Sequence, residues 1–347
     1  MKTPRKILII KMSSMGDILH TLPAIQDACQ HYPQLQFDWV VEEAFVEIPQ
    51  WHTNVNMVIP IAWRRWRKQL WRKKTWAEMK LFWQQLRQTQ YDLIIDAQGL
   101  IKSAMVSRCA KGLRLGFDWH SARESWATLF YQQKISVSKH QHAVARLREL
   151  FAKALDYSYD PKTFAYGVEV KASVEPLPQD FYLFIPNTTW ATKLWPIEHW
   201  RGLIAALAPH PILIPCGYAH ELPYIEKIAN GYPHVRILPH MQLSQLRDVI
   251  ANARLAVSVD TGLSHLCAAL ETPTIVLYGA TDPKKIGTLG NHQIHLQVNF
   301  PCAPCHSKTC TFTKLSAVKP ACYTTLTPTQ VLNALTTLQR ATHHDQH

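Results

Sequence analysis

No stretch of this chain approaches the roughly 18 consecutive apolar residues that a membrane-spanning helix requires, so no transmembrane segment is expected. Near the N-terminus there is no A-x-A-like cleavage site, and basic residues lead straight into an apolar strand, so a secretory signal is not read. A cytoplasmic location follows as the expectation. Neither G-x-G-x-x-G nor G-x-x-x-x-G-K-[ST] occurs, which excludes the dinucleotide fingerprint and the P-loop. No Asp-x-Asp occurs either; no built-in magnesium site for a diphosphate is read, and cofactor-free, metal-independent chemistry is expected. Acid is in deficit: 25 Asp and Glu stand against 37 Lys and Arg, a formal charge of +12. An excess of that size points to an anionic partner, whether nucleic acid, a membrane surface or a phosphorylated substrate.

The 347 residues suffice for two domains with separate cores, and 47% apolar with 18% charged residues is ordinary for a globular chain. Short apolar runs alternate with helical periodicity in two series. The first predicts strands at 6–11, 37–41 and 92–96, with helical stretches such as 76–89 between them. The second opens with Tyr182-Leu-Phe-Ile185 and predicts strands near 211–215, 235–238, 255–260 and 274–278. Its helices are expected near 197–208, 219–230, 243–252 and 263–271, with a final helix over 327–339. Such alternation is the pattern of α/β domains with parallel, doubly wound sheets. The expected boundaries are a first domain over 1–165, a linker over 166–180 that carries Glu175-Pro-Leu-Pro178, and a second domain over 181–347. A cleft between two such domains is the default site.

Chemistry concentrates where strands give way to helices. The run Leu255–Val259 passes into Asp260-Thr-Gly262-Leu-Ser-His265, a strand–turn–helix junction suited to a phosphate or sugar-phosphate. The first strand, Lys6-Ile-Leu-Ile-Ile10, is followed by Ser13-Ser-Met-Gly16-Asp17, with Ile18, Leu19, Leu22 and Ile25 at helical spacing. Asp17 there reads either as a capping carboxylate or as a group at the carboxyl end of a strand, where open α/β sheets place their sites. Thr188, Thr189 and Lys193 follow Tyr182–Ile185 and could hold a diphosphate, or form a solvated loop. Glu221 could accept from ribose hydroxyls or simply complement a helix start. Gln98, Lys102 and Arg123 form a polar set with the basic run Arg64, Arg65, Arg67, Lys68, Arg72, Lys73 and Lys74. That run has no acid between Ile61 and Ala77 and is interleaved with Trp63, Trp66, Trp71 and Trp76, which favours an anionic, partly lipidic ligand. Cys302-x-x-Cys305-x4-Cys310 with Cys322 has zinc-ligand character, but the second pair does not repeat the spacing. A metal-free reduced loop is the leading expectation there, with a structural zinc as the alternative.

Several of these segments resemble glycosyltransferase family 9, in its lipopolysaccharide heptosyltransferase I group. They are Lys11-Met-Ser-Ser-Met-Gly-Asp17-Ile-Leu-His-Thr-Leu-Pro23, Phe37-Asp-Trp-Val-Val-Glu-Glu43, Arg64-Arg-Trp-Arg-Lys68, Ile95-Asp-Ala-Gln-Gly99 and Val259-Asp-Thr-Gly-Leu-Ser-His265. The resemblance implies the GT-B architecture, two Rossmann-like domains facing a central cleft. It implies inverting transfer of L-glycero-D-manno-heptose from ADP-heptose to a Kdo residue of the lipid A precursor, on the cytoplasmic face of the inner membrane. The acceptor is then a Kdo disaccharide or a phosphorylated single Kdo. By motif, Asp17 is the general base, with His20 as its rival. Thr188, Thr189, Lys193, Glu221, Met241, Asp260, Thr261, Gly262 and His265 form the donor-binding set. Arg64, Arg65, Arg67, Lys68, Gln98, Lys102 and Arg123 face the acceptor, and the inner-membrane surface is the further partner. The alternatives are another family 9 transferase, such as a heptosyltransferase II, or a basic nucleic-acid-binding protein; the latter leaves Asp17 and the paired strand-end motifs without a role, so no nucleic-acid partner is expected.

Overall fold

The short apolar runs become the strands of two parallel sheets. The computed structural model describes residues 6–170 and 177–344, and its chain separates into two units, Met1–Glu169 and Val170–His347. In the first unit β1 (Lys6–Ile10), β2 (Gln36–Glu42), β3 (Val55–Ile61), β4 (Gln90–Asp96), β5 (Lys111–Phe117) and β6 (Gln133–Ile135) lie in the order β3-β2-β1-β4-β5-β6. In the second, β7 (Tyr182–Ile185), β8 (Ile212–Pro215), β9 (Val235–Leu238), β10 (Leu255–Val259), β11 (Thr274–Tyr278) and β12 (Gln293–Gln297) lie in the order β12-β11-β10-β7-β8-β9. Both orders are the doubly wound pattern in which the chain reverses direction between the first and fourth strands of the unit. The crevice at such a reversal opens beyond the carboxyl ends of two neighbouring strands. Those strands end level with each other: Ile10 pairs with Asp96, and Ser258 with Ile185.

Central strands are buried on both faces, which is why they read as continuous apolar runs. In the first unit Leu8, Ile10, Val40, Ile59 and Ile94 pack with Trp66, Phe82 and Leu86. In the second, Phe184, Val257 and Leu277 pack with Trp195, Trp200 and Tyr323. The last helix, Pro328–His344, adds Val331, Leu335 and Leu338, spaced to share one face. A fully buried aliphatic or aromatic side chain of this kind stabilises by about 1.5–3 kcal/mol, so these helices are fixed by the faces they bury more than by propensity.

Four strands escaped the sequence pattern, and three lie at the sheet margins. β3 carries Asn56 and Pro60 and is a half-exposed edge strand, the position that tolerates proline. β5 is broken up by Gly112 and Gly116, β6 has only three residues, and β12 is an edge strand of intermediate exposure. The helix expected over 219–230 begins as a tight turn at Ala219–Glu221 and becomes α-helical over Leu222–Ala229. The final helix extends past 339, to His344. Of the expected linker 166–180, residues 171–176 lie outside the described residues. Residues 166–169 lie against the first unit: Tyr166 is buried, and the Glu169 amide donates to the Trp51 carbonyl at 3.0 Å. Gly167, at φ +64°, lies where a Cβ would collide with Gln26 and His52.

Candidate active site

Asp17 stands just past β1, at the reversal point of the first sheet. Its Oδ2 accepts from both the amide and the hydroxyl of Ser14, each at 3.0 Å, which closes the turn into the short helix Met15–Leu19. Two cations flank it: Lys11 Nζ at 3.8 Å and Arg123 Nη1 at 4.0 Å. Burial pushes the Asp17 carboxyl upward, but Lys11 first, then Arg123, the Ser14 amide and His20 outweigh it and hold the pKa at about 2. Lys11 also donates to the Ala97 carbonyl at 2.9 Å, and burial pushes its own pKa down while Asp17 opposes the shift. Asp17 keeps 28% of its side chain in solvent and Arg123 keeps 65%, so an ionised carboxylate and an exposed guanidinium lie together at the surface. His20 is buried, with its ring 5.8 Å from that of His142.

Gln98 does not stand free for an acceptor as the sequence reading expected. Its Oε1 accepts from the Met12 amide at 2.8 Å and its Nε2 donates to the Ser13 carbonyl at 2.8 Å, so both ends of the amide are spent on the Asp17 loop. Asp96 in turn accepts from the Gln98 and Gly99 amides and from the Tyr131 hydroxyl. Gly99, at φ +67°, lets the loop after β4 lie directly on the backbone of residues 122 and 123. Its carbonyl accepts from the Glu124 amide at 3.0 Å. The β4 loop therefore positions Asp17 on one side and Arg123 on the other.

The basic run divides by its partners. Arg65 forms ion pairs with Glu43 at 2.9 Å and Glu78 at 2.7 Å, so this member of the expected acceptor set is committed to the scaffold. The acids come from outside the run, which is why it looked unpaired in sequence. Arg64, Arg67 and Lys68 are exposed. Lys102, half-buried on the helix Ile101–Cys109, feels Glu42, Arg64, Arg67 and Glu124; burial pushes its pKa down. Trp66 is a core residue whose indole donates to Glu78, whereas Trp71 and Trp76 are exposed.

In the second unit Asp260 lies just past β10, at the corresponding reversal point. It is 3% exposed, pairs with Lys193 Nζ at 2.6 Å and accepts from the Thr281 hydroxyl at 2.5 Å. Thr188 donates to the Asp260 carbonyl at 3.3 Å, while Thr189 is exposed. Thr261 precedes the helix Gly262–Ala269, with His265 buried in its first turns. The first amides of that helix and the Lys193 ammonium bring positive charge to this strand end. Glu221 accepts from the Gly217 and Tyr218 amides at 2.9 and 3.1 Å, so its carboxylate is engaged in its own turn. Met241 is half-buried just before the helix Leu243–Ala251.

Cys302, Cys305, Cys310 and Cys322 border one small hollow. Burial, reinforced by the other three thiols, pushes Cys322 up to about 11. Among the described residues no group of three His, Cys, Asp or Glu side chains has the spacing to hold a metal ion. This loop packs on the segments beside Lys193 and Thr281: Thr192 donates to the Ser307 carbonyl at 2.5 Å, and the His306 amide to the Ala280 carbonyl at 2.8 Å.

Two supports were missed. Lys11 was visible as the residue that follows the first strand, but nothing in sequence shows that it turns toward Asp17. Tyr323 is buried, and its hydroxyl donates to the Lys193 carbonyl at 3.0 Å from 130 residues away. No local pattern carries that signal.

Two doubly wound units, each with charged groups at its reversal point, fit a nucleotide-sugar glycosyltransferase, the class to which the similar proteins belong. The family profile described as glycosyltransferase family 9 (heptosyltransferase) matches residues 79–316. The chain is 44% identical over 343 residues to lipopolysaccharide heptosyltransferase 1 of Pseudomonas aeruginosa, covering 95% of this chain and 97% of that protein. It superposes on the E. coli heptosyltransferase WaaC solved with ADP at a TM-score of 0.84 and 42% identity, over 96% of this chain and 99% of that one. The same enzyme with ADP-2-deoxy-2-fluoro heptose gives a TM-score of 0.78 at 45% identity, over 85% and 93%. The chain belongs to glycosyltransferase family 9. Within it the chain is a heptosyltransferase of lipopolysaccharide assembly. No helix among the described residues is long and apolar enough to cross a membrane.

Proposed function

We propose that this enzyme transfers L-glycero-D-manno-heptose from ADP-heptose to a Kdo residue of the lipid A precursor, with Asp17 as the base. The observation that carries the reading is an ionised, outward-facing Asp17 between Lys11 and Arg123 at a sheet reversal point. In the reaction the Kdo hydroxyl oxygen bonds to the anomeric carbon of heptose as the bond to the ADP oxygen breaks. The hydroxyl proton passes to the Asp17 carboxylate, and ADP departs with the electron pair.

A carboxylate whose pKa is about 2 is fully ionised at neutral pH but weakly basic. The acceptor corrects this. Its own carboxylate competes for Arg123, the more exposed of the two cations, and each cation drawn away makes Asp17 a stronger base. Base strength is thus gained when acceptor arrives, which suits an enzyme that must not spend its donor on water. Arg64, Arg67, Lys68 and Lys102 hold the remaining anionic groups, with arginine suited to bidentate contact.

On the donor side Lys193 and the amides at Thr261 and Gly262 meet the growing charge on the leaving diphosphate. Lys193 must exchange Asp260 for phosphate, and Tyr323 keeps its backbone in place meanwhile. This fixed cation makes transfer independent of an added metal ion. Thr188, Thr189, Glu221, Met241 and His265 complete the donor contacts. The enzyme works peripherally on the cytoplasmic face of the inner membrane, where exposed Trp71 and Trp76 beside the basic run meet the lipid surface.

The test is ADP release from ADP-heptose in EDTA, with and without Kdo-lipid A, for wild type beside Asp17→Ala. Acceptor-dependent release that the substitution removes supports the reading. Release only with phosphorylated Kdo keeps the mechanism and changes the acceptor. Release that survives in Asp17→Ala and disappears in His20→Ala moves the base to His20.

A further inference from the structure

A second apolar surface lies on the first unit, built from residues outside the tryptophan-rich basic run. Ile101 and Met105, one helical turn apart, are exposed on the helix Ile101–Cys109. That helix packs against the turn Ser125–Phe130, whose Trp126 and Leu129 are 62% and 65% exposed. Trp119 is also exposed and meets the Trp126 ring edge-on at 5.2 Å between centroids. Beneath them Ala104, Ala127 and Tyr131 form a small buried cluster, so the outward faces are spare to the fold. Of the exposed large apolar side chains among the described residues, most of those in the first unit lie at or after Ile101.

The position of this shelf says what covers it. The Ile101 amide donates to the Glu124 carboxylate at 2.7 Å, which ties the shelf to the segment carrying Arg123 and, through it, to Asp17. Lys102 lies next to Ile101 in the same helix and near Arg64 and Arg67. The surface therefore runs from the base, across a belt of cations, to a platform of tryptophan, leucine, isoleucine and methionine. That sequence of chemistries matches an anionic membrane: cations at headgroup level, tryptophans at the interface and aliphatic groups in the acyl layer.

We propose that Ile101, Met105, Trp119, Trp126 and Leu129 insert into the acyl layer of an anionic bilayer and thereby set the depth at which Asp17 meets an acceptor anchored there. The shelf rests on the proposed lipid-linked acceptor for its role in catalysis, though not for its membrane affinity. It is a second attachment point, and two weak attachments give the stable yet reversible binding that one alone does not.

The test pairs Trp126→Ser/Leu129→Ser with wild type in sedimentation with vesicles of phosphatidylcholine doped with phosphatidylglycerol, and of phosphatidylcholine alone. Partition onto the anionic vesicles is expected to fall about tenfold, since two partly inserted apolar groups are removed. Transfer to acylated acceptor in those vesicles should fall far more than transfer to a deacylated, water-soluble acceptor. Because both side chains are exposed, the variant should unfold at the wild-type temperature; if it does not, Leu129→Ser alone is read the same way. Unchanged partition overturns the proposal, as does a variant that loses self-association while partition stays the same. If wild type transfers to neither acceptor yet the variant still loses partition, the shelf stands and the proposed chemistry fails.

Discussion

In the first unit the aspartate at the sheet reversal lies 3.8 Å from a lysine and keeps 28% of its side chain in solvent; in the second it lies 2.6 Å from a lysine and keeps 4%. The sheets around them have the same strand order, and both aspartates follow the strand ends where the chain turns back. One fold has thus been fitted twice with an Asp–Lys pair, loosely in one place and tightly in the other. The loose pair leaves a carboxylate partly open to solvent. In the tight one the carboxylate, held also by Thr281, is closed off together with its lysine. Under the proposed mechanism, separation and exposure, more than residue identity, distinguish the reactive carboxylate from the scaffolding one.

The sharpest way to break this contrast is to neutralise each aspartate in turn. Asp17→Asn should lower kcat by about 10²–10⁴, the range for loss of a positioned general base, with ADP-heptose binding nearly unchanged. Asp260→Asn should act mainly on the fold and on the donor. It leaves Lys193 buried without its partner, which costs about 3 kcal/mol in urea unfolding, and it raises the KM for ADP-heptose. If Asp260→Asn were as stable as wild type and Asp17→Asn as active, the division of roles would be wrong.

A smaller effect follows from charge at the first reversal. The Asp17 pKa, about 2 in the folded protein, lies below the ordinary value of about 3.9, so its ionised form stabilises the fold. That contribution, about 2 kcal/mol, is fully present above pH 4 and is lost as pH falls toward 2. The stability gap between wild type and Asp17→Asn should therefore close over that window in acid denaturation. For the same reason kcat/KM should show no acid limb from Asp17 above pH 4 in wild type. Arg123→Ala, which removes one of the two flanking cations, should move the carboxylate upward and bring such a limb toward neutrality.

Much of this arrangement was legible in sequence because it depends on the chain's own order. Central strands announced themselves as apolar runs, with Asp260 directly after one and Asp17 in the loop-to-helix segment after another. Edge strands did not, since half their residues face water and Pro60 is tolerated only there. Side-chain partnerships were the least legible part. Gln98 looked like an acceptor ligand until its amide was seen spent on Met12 and Ser13, 86 and 85 positions away. Lys11 and Tyr323 were silent because their partners are set by strand adjacency and by the return of the C-terminal segment.

The basic run offers the finest test of the same lesson, within one short helix and its exit. Arg65 and Arg67 are two positions apart and chemically identical, yet Arg65 is held by Glu43 and Glu78 while Arg67 is exposed near Lys102. Partnered surface arginines contribute little to stability, and their charge is already neutralised locally. Arg65→Ala should therefore leave the acceptor KM close to wild type and change stability only slightly. Arg67→Ala should raise the acceptor KM severalfold, without altering kcat or ADP-heptose affinity, because it removes binding made equally to ground state and transition state. Equal KM effects from the two substitutions would mean that Arg65 leaves its glutamates when the acceptor arrives, and that the run acts as one anion-binding surface after all.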